Sequence, residues 1–287
     1  MEGEHYMSVQ QLRNVRVVTL NLWGRNGAWA ERRAVLIEGM RALRPDLVAF
    51  QETIKTDEYD QVVDLLGSEF HIAHQVGRDA DGFGISIASR WPLAEMHEVD
   101  LNVTPRTADF ACTTLVAKIL APDPVGPLLF VNHFPNWQLN FEYERELQAV
   151  VAARFIEEEK MVAQQAAGPH VVVAGDFDAD PNSASIRFWS GRQSLGGMSV
   201  CYRNAWESAH GGDPAGGHTF TPRNPLVADW DWPFRRIDHI FVRCGEHGGP
   251  TLAISACERI FDEPINGVWA SDHFGLVADL ALPDATD

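Results

Sequence analysis

A chain of 287 residues with 45% hydrophobic and 22% charged side chains has the composition of a globular protein that can bury a sizeable core. Its 23 basic and 40 acidic residues give a net charge of -17, which argues against a surface that grips long nucleic acid through many phosphate contacts. The cysteines at 112, 201, 244 and 257 form no CxxC pair and read as reduced, buried thiols. With no apolar leader and no long apolar run, a soluble cytoplasmic protein is expected.

Residues 1–14 are polar and are expected to be a flexible segment, with residues 15–287 forming one domain, since no linker or low-complexity stretch interrupts them. Val15 to Leu22 has the β-branched content of a strand and ends beside Asn21. Glu31 to Leu43 places Leu36, Ile37, Met40 and Leu43 on one helical face, and Pro45 ends the helix. Asp46 to Phe50 is a buried strand delivering Gln51-Glu52. Glu58 to Leu66 is a second amphipathic segment. Phe70 to Val76, Phe83 to Arg90 and Ala111 to Leu120 then read as strands broken by Gly, Asp and Pro, which suggests an antiparallel portion of sheet. Asp81 precedes the second of these. Arg106, in a loop, reads either as solvated or as a contact for an anionic substrate.

Pro127 to Asn132 makes the next strand and delivers His133, which is either hydrogen-bonded structure or, at the end of a buried strand, a catalyst. Glu142 to Gln164 is a long helix with Leu147, Val150, Val151 and Phe155 toward the core and Glu157-Glu158-Glu159 on a solvated face. His170 to Ala174 runs as a strand into Gly175-Asp176-Phe177-Asp178-Ala179-Asp180-Pro181, three carboxylates in five residues. Taken alone, that stretch is either a solvated turn or a cation site. A calcium loop starting at Asp176 is excluded, because Pro181 and Arg187 stand where such a loop needs Gly and Glu. Ser183 to Trp189 is a short helix, residues 190–232 are loop-rich, and Arg236 to Val242 is a strand containing Asp238, whose buried carboxylate needs a partner. Thr251 to Ile260 and Phe274 to Leu280 close the chain, the last just after Ser271-Asp272-His273.

Asn21, Gln51-Glu52, His133, Gly175-Asp176-Phe177-Asp178, Asp238 in Arg236-Ile237-Asp238-His239-Ile240-Phe241, and Ser271-Asp272-His273-Phe274-Gly275 stand in an order that resembles the endonuclease/exonuclease/phosphatase superfamily over residues 15–281. The resemblance implies a four-layer α/β sandwich of two packed mixed β-sheets flanked by helices, with the site at one end of the sheets. It implies that Glu52 and Asp272, with Asn21 nearby, hold Mg²⁺ or Mn²⁺. Asp176 would orient or deprotonate the attacking water, and His273, paired with Asp238, would stabilise the charged transition state. His133, with Asp81 as its partner, would assist the leaving group. Asp178 departs from the family's usual Asn. An ionised Asp accepts hydrogen bonds but cannot donate one to a phosphate oxygen. It is protonated beside its neighbours, binds an additional metal, or marks weakened phosphate chemistry. Asp180 only shapes the turn.

The expected activity is metal-assisted hydrolysis of a phosphoester by water, as a phosphodiesterase or phosphatase acting on a small molecule, a lipid headgroup or short nucleic acid. One alternative is a nuclease on single-stranded or short nucleic acid; another is a catalytically weakened binding or scaffold member of the family. Trp137, Trp230, Trp232 and Trp269 could wall a pocket or stack on a base. Arg106, Arg145, Arg187, Arg235 and Arg236 are candidate phosphate contacts, the last two also able to pair with Asp229 or Asp231.

Overall fold

A computed structural model describes residues 14–159, 170–212, 216–227, 232–246 and 248–283. The expected flexible segment lies, apart from Asn14, outside the described residues, as does Trp230. The elements, in order, are β1 (Asn14–Asn21), α1 (Trp29–Leu43), β2 (Leu47–Ile54), α2 (Gln61–Leu66), β3 (His71–His74), β4 (Phe83–Ser89), β5 (Leu93–Asp100), β6 (Thr113–Ile119) and β7 (Leu128–Phe134). There follow α3 (Glu142–Arg154), β8 (His170–Asp176), α4 (Ala184–Trp189), β9 (Tyr202–Asn204), α5 (Ala205–Ala209), β10 (Asp238–Arg243), β11 (Ala253–Ile260) and β12 (Gly275–Ala281).

The strands form two six-stranded sheets, in the orders β11-β12-β1-β2-β4-β3 and β5-β6-β7-β8-β10-β9. Each sheet has one parallel pair at its centre, β1 with β2 and β7 with β8, and antiparallel neighbours elsewhere. Strand side chains alternate between faces, so each sheet sorts its residues into two sets. Val15, Val17, Leu47, Ala49, Leu115, Phe130, Val172, Ala174, Ile240 and Val242 meet between the sheets. The opposite faces are covered by helices. Val18, Leu20, Val48 and Phe50 pack with Leu36 and Met40 of α1, and Val131, Val171, Val173 and Phe241 with Ala149 and Ala152 of α3 and Ile186 of α4. The result is the four-layer sandwich of two mixed sheets.

Several local expectations give way to tertiary context. β5 carries a mostly polar, half-exposed sequence and pairs only with β6 at the sheet edge, so it lacks the apolar content by which a strand is recognised. β9 and α5 lie within the stretch expected to be loop. The described part of α3 buries Glu144, Arg145, Gln148, Ala149, Ala152 and Ala153, and leaves Val151 exposed. Its small and polar residues make the buried face, with the expected Val150 and Phe155 packed against its edge. Glu157 is not simply solvated, since it accepts from Tyr202 Oη at 2.5 Å and pairs with Arg243 at 2.9 Å. Cys201 is exposed, unlike the other three cysteines.

One close approach constrains the centre of the second sheet. A Cβ on Gly175 would lie 2.1 Å from the carbonyl oxygen of His133 on the neighbouring β7. Gly175→Ala is expected to destabilise the protein by roughly 3 kcal/mol or more, because backbone must move in two central strands at once. A urea midpoint equal to that of the wild type would show that β7 and β8 can separate freely.

Candidate active site

The site begins where the inward-facing positions of the central strands change from apolar to polar. On β1, Val15, Val17 and Thr19 lead to Asn21; on β8, Val172 and Ala174 lead to Asp176; on β10, Val242 and Ile240 lead back to Asp238. Glu52 needs a special device. Simple alternation would turn it toward the helix layer, but the pairing of β2 with β4 slips between Phe50 and Thr53, and Glu52 takes φ 54°. Such a bulge re-aims a side chain, here into the pocket. Gln51, on the inward side, ties the sheets together by donating to Asn132 Oδ1 at 2.7 Å.

Asn21 joins two acids. Its Nδ2 donates to Glu52 Oε1 and to Asp176 Oδ2, both at 3.0 Å, while its Oδ1 accepts from the Trp23 N–H at 2.9 Å. Asn21 is thus a bridge between two carboxylates, and its oxygen keeps one lone pair beyond the Trp23 bond. Ser271 Oγ donates to the Asn21 carbonyl at 2.7 Å and brings the turn with Asp272 and His273 against β1. His273 Nδ1 lies 3.0 Å from Asp238 Oδ2 and its Nε2 3.8 Å from Asp176 Oδ2. Burial alone would lower the imidazole pKa, but Asp238, Asp176 and Asp272 outweigh it and hold the ring well above its ordinary value, as imidazolium.

The acids are raised. Burial, with the charge of Asp272 next, lifts Glu52 to about 7; burial and then Asp178 lift Asp176 well above the carboxylate range; burial also raises Asp178 and Asp272. Asp238 Oδ1 is buried with no hydrogen-bond partner among the described residues. Such a set fits a hard divalent cation, which takes oxygen ligands and removes the mutual repulsion. Asp176, Asp238 and His273 bring ligand atoms within 4.8 Å of one another, a possible acidic and histidine metal site. Both His273 nitrogens face carboxylates, and Glu52 and Asp272 offer further carboxylate oxygens in the same cavity. All of these except Asp238 line one cavity of about 310 Å³, whose other walls include Trp23, Phe110, Phe134, Trp137, Phe220 and Trp232.

Comparison with known proteins identifies the family and the fold. The model of the Endonuclease/Exonuclease/phosphatase family matches residues 18–273. The chain belongs to that family. No curated protein matches it in sequence. Solved structures with the same fold include D. rerio TDP2 complexed with single strand DNA product, with 20% identity, TM-score 0.70, and 93% of this chain and 98% of that one covered. An endonuclease/exonuclease/phosphatase from Bacteroides vulgatus has 20% identity and TM-score 0.69, covering 94% and 99%. The human Nocturnin catalytic domain with bound sulfate anion has 17% identity and TM-score 0.70, covering 94% and 95%.

Within this family fold, Asn21, Glu52, Asp176, Asp178, Asp238, Asp272 and His273 converge, and other candidates do not. His133 occupies an outward-facing position of β7. Its ring packs 4.9 Å from Phe177 and 5.8 Å from Trp189, and its Nδ1 lies 2.7 Å from Thr114 Oγ1. Burial pushes its pKa down to about 3, so it is a neutral core histidine. Asp81 is not its partner; that carboxylate accepts from the Phe83 N–H in an exposed turn. Arg106 lies over the Phe141 ring and pairs with Glu144, and Arg145 is buried against Glu142 and the carbonyls of Asn136 and Gln138. Neither lines the pocket. Arg187 bonds Gln193, Arg236 bonds Asn204, and Trp269 stacks on Phe274. Trp137, 42% exposed, and Trp232 do line it.

Sequence reasoning missed Arg32 and Asn224. Arg32, on the buried face of α1, donates to the carbonyls of Leu22, Asn26 and Ala270; burial brings it down to about 10 against the charges of Asp272 and Glu52. Asn224 holds the Ser271 and Asp272 carbonyls from the long loop, where no periodicity marks it.

Two outcomes are expected. Mg²⁺ or Mn²⁺ at about 100 times its Kd raises the melting temperature by roughly 5 to 10 °C over chelator, and Glu52→Gln shrinks that rise; equal melting curves would count against the cation site. For His133, the unfolded chain binds a proton between pH 6.5 and about 3 that the native state refuses, so stability falls as pH falls through that window. The stability gap between wild type and His133→Asn should narrow below pH 6.5 by up to about 1.4 kcal/mol per pH unit, measured by urea titration.

Proposed function

We propose that the protein is a divalent-metal-dependent hydrolase of phosphoester bonds. The observation that carries this reading is the meeting of Glu52, Asp176, Asp272 and the His273–Asp238 pair at one end of a family fold, in a cavity open to substrate. Glu52 and Asp272 would hold Mg²⁺ or Mn²⁺, which when bound polarises the phosphoryl group and stabilises the leaving oxygen.

The residues divide the remaining work. Asp176, fixed by the Asn21 amide and by the Asp178 N–H at 3.1 Å, orients the attacking water and takes its proton. The His273 imidazolium, held by Asp238, donates to a non-bridging phosphoryl oxygen as negative charge grows there. Asn21 keeps Glu52 and Asp176 at a fixed separation. Deep burial of the cluster keeps these dipoles and charges in place before reaction, so little reorganisation is needed at the transition state.

A second reading, a nuclease on single strands or short nucleic acid, is favoured by the aromatic walls. Trp137, Trp232, Phe110 and Phe220 offer faces on which a base can stack, and D. rerio TDP2, of the same fold, was captured with single strand DNA product. Phosphomonoesters, phosphodiesters, sphingomyelin and single- and double-stranded DNA and RNA, each supplied with Mg²⁺ or Mn²⁺, separate the two. The wild type is expected to turn over at least one of these, with Glu52→Gln and Asp176→Asn lower by about 100-fold or more in kcat/KM. Equal turnover by wild type and Glu52→Gln would remove the enzymatic reading.

A further inference from the structure

The pocket has a charge imbalance at the place where an anion must sit. Glu52, Asp176, Asp178 and Asp272 line it, and among its described lining residues Arg235 is the one Arg or Lys. The Arg235 side chain is only 5% exposed, with the Trp232 ring centroid 6.0 Å from its guanidinium carbon. Nε donates to Asp180 Oδ2 at 3.2 Å and Nη2 to the Asp178 carbonyl at 2.6 Å. Nη1 makes no hydrogen bond among the described residues and stands 4.0 Å from Asp178 Oδ1. The guanidinium plane is therefore fixed by two anchors while one amino group keeps its donors.

Asp178 shapes that arrangement from both ends of the residue. Its backbone is in the left-handed region at φ 49°, a conformation that Asp and Asn tolerate better than most residues. There its carbonyl receives Nη2, and its carboxylate stands beside Nη1 without capturing it. Asp180 completes the clamp by also accepting from the Arg236 N–H at 3.2 Å. A pre-oriented planar fork is the side chain best matched to phosphoryl oxygens, and little rotamer freedom remains to be lost on binding.

We propose that Arg235 is the residue that contacts the phosphoryl oxygens of the substrate, and that Asp178 is a positioning residue for Arg235, not a metal ligand or a base. The inference rests on the phosphoester-hydrolase reading of the pocket. It gives the carboxylate at 178 a purpose that an anion-repelling group in an anion site otherwise lacks, and it makes Asp180 part of the site instead of a turn former.

The test uses the full chain with Mg²⁺ and three readouts: the Kd of inorganic phosphate by calorimetry, KM and kcat on a substrate that the wild type turns over, and the Mg²⁺-induced rise in melting temperature. Arg235→Gln is expected to weaken phosphate and raise KM by roughly ten- to a hundred-fold while leaving the Mg²⁺ response intact. Asp178→Ala should weaken phosphate less, and the double variant should be no weaker than Arg235→Gln alone, because Asp178 acts through Arg235. Arg235→Lys keeps the charge but not the fork. It should recover part of the loss, and if Arg235→Gln does not fold, an unchanged phosphate Kd in Arg235→Lys overturns the proposal equally. Unchanged phosphate Kd and KM in Arg235→Gln overturn it, as does loss of the Mg²⁺ response in Asp178→Ala, which would make Asp178 a ligand. A wild type that hydrolyses nothing, yet loses phosphate binding in Arg235→Gln, removes the enzymatic reading and leaves this one standing.

Discussion

Two sheets packed face to face impose a period of two on everything between them. A strand can send its even or its odd residues inward, and a one-residue change of parity moves a side chain to another layer of the protein. Along β1, β2, β8 and β10 the inward positions are apolar through the centre and polar at one end, at Asn21, Gln51, Asp176 and Asp238. Those residues meet because the alternation that buries Val17, Ala49, Ala174 and Ile240 carries on unbroken. His133 and His239 have the other parity. His133 packs against Phe177 and Trp189; His239 bonds the Ala179 carbonyl at 2.9 Å and packs against Phe177 and Phe241. The candidate-site end of the sandwich is thus a continuation of its core pattern, and among the strand residues that reach it only Glu52 required a break in register.

Gathering carboxylates in such a place opposes folding. Two like charges about 4 Å apart repel by roughly 4 kcal/mol at an effective dielectric of about 20. Three features offset this without a cation. Asn21 donates one N–H to each of two acids, His273 stands as imidazolium between Asp238 and Asp176, and proton uptake by raised carboxylates such as Glu52 removes charge. A bound divalent ion would allow the acids to ionise together, so under the proposed reaction the state suited to accept a proton from water is also the state the ion would favour.

Much of this was legible in the sequence, and the limits have physical causes. The β-branched runs before Asn21 and Asp176 marked central strands, and the order of acidic and histidine motifs marked the family and its fold. Parity was also available. Asn132 and His133 are adjacent, and extending the alternation of Leu128 and Phe130 selects Asn132 for the interior and sends His133 to the helix side, whatever the chemical appeal of a histidine. The α3 face is legible only at its edge, in Val150 and Phe155, because the centre of its contact is made by Ala149, Ala152 and Ala153, whose small side chains permit close approach but give little hydrophobic signal. β5 was invisible because an edge strand needs few apolar residues. Arg32, Asn224 and Phe220 reach Ala270, Ser271 and His273 across more than 40 residues of chain, contacts that no local pattern encodes.

The overall charge and the pocket charge point the same way. A protein with net charge -17 cannot rely on a field of cations to draw in a long polyanion, and its candidate pocket offers one guanidinium among four carboxylates. Binding energy for the rest of the substrate must then come from the aromatic and aliphatic walls, Phe110, Trp137, Phe220, Leu226, Val227 and Trp232, through burial and stacking. Stacking on these faces does not increase with the number of phosphates, whereas repulsion from the surrounding acids does. A ligand with one phosphoryl group near Arg235 and a flat or apolar portion against the walls gains from both parts of the cavity. On the phosphoester reading proposed above, each additional phosphate placed beyond reach of Arg235 would add repulsion without a matching contact, and a single phosphoester beside an uncharged group would suit the cavity best.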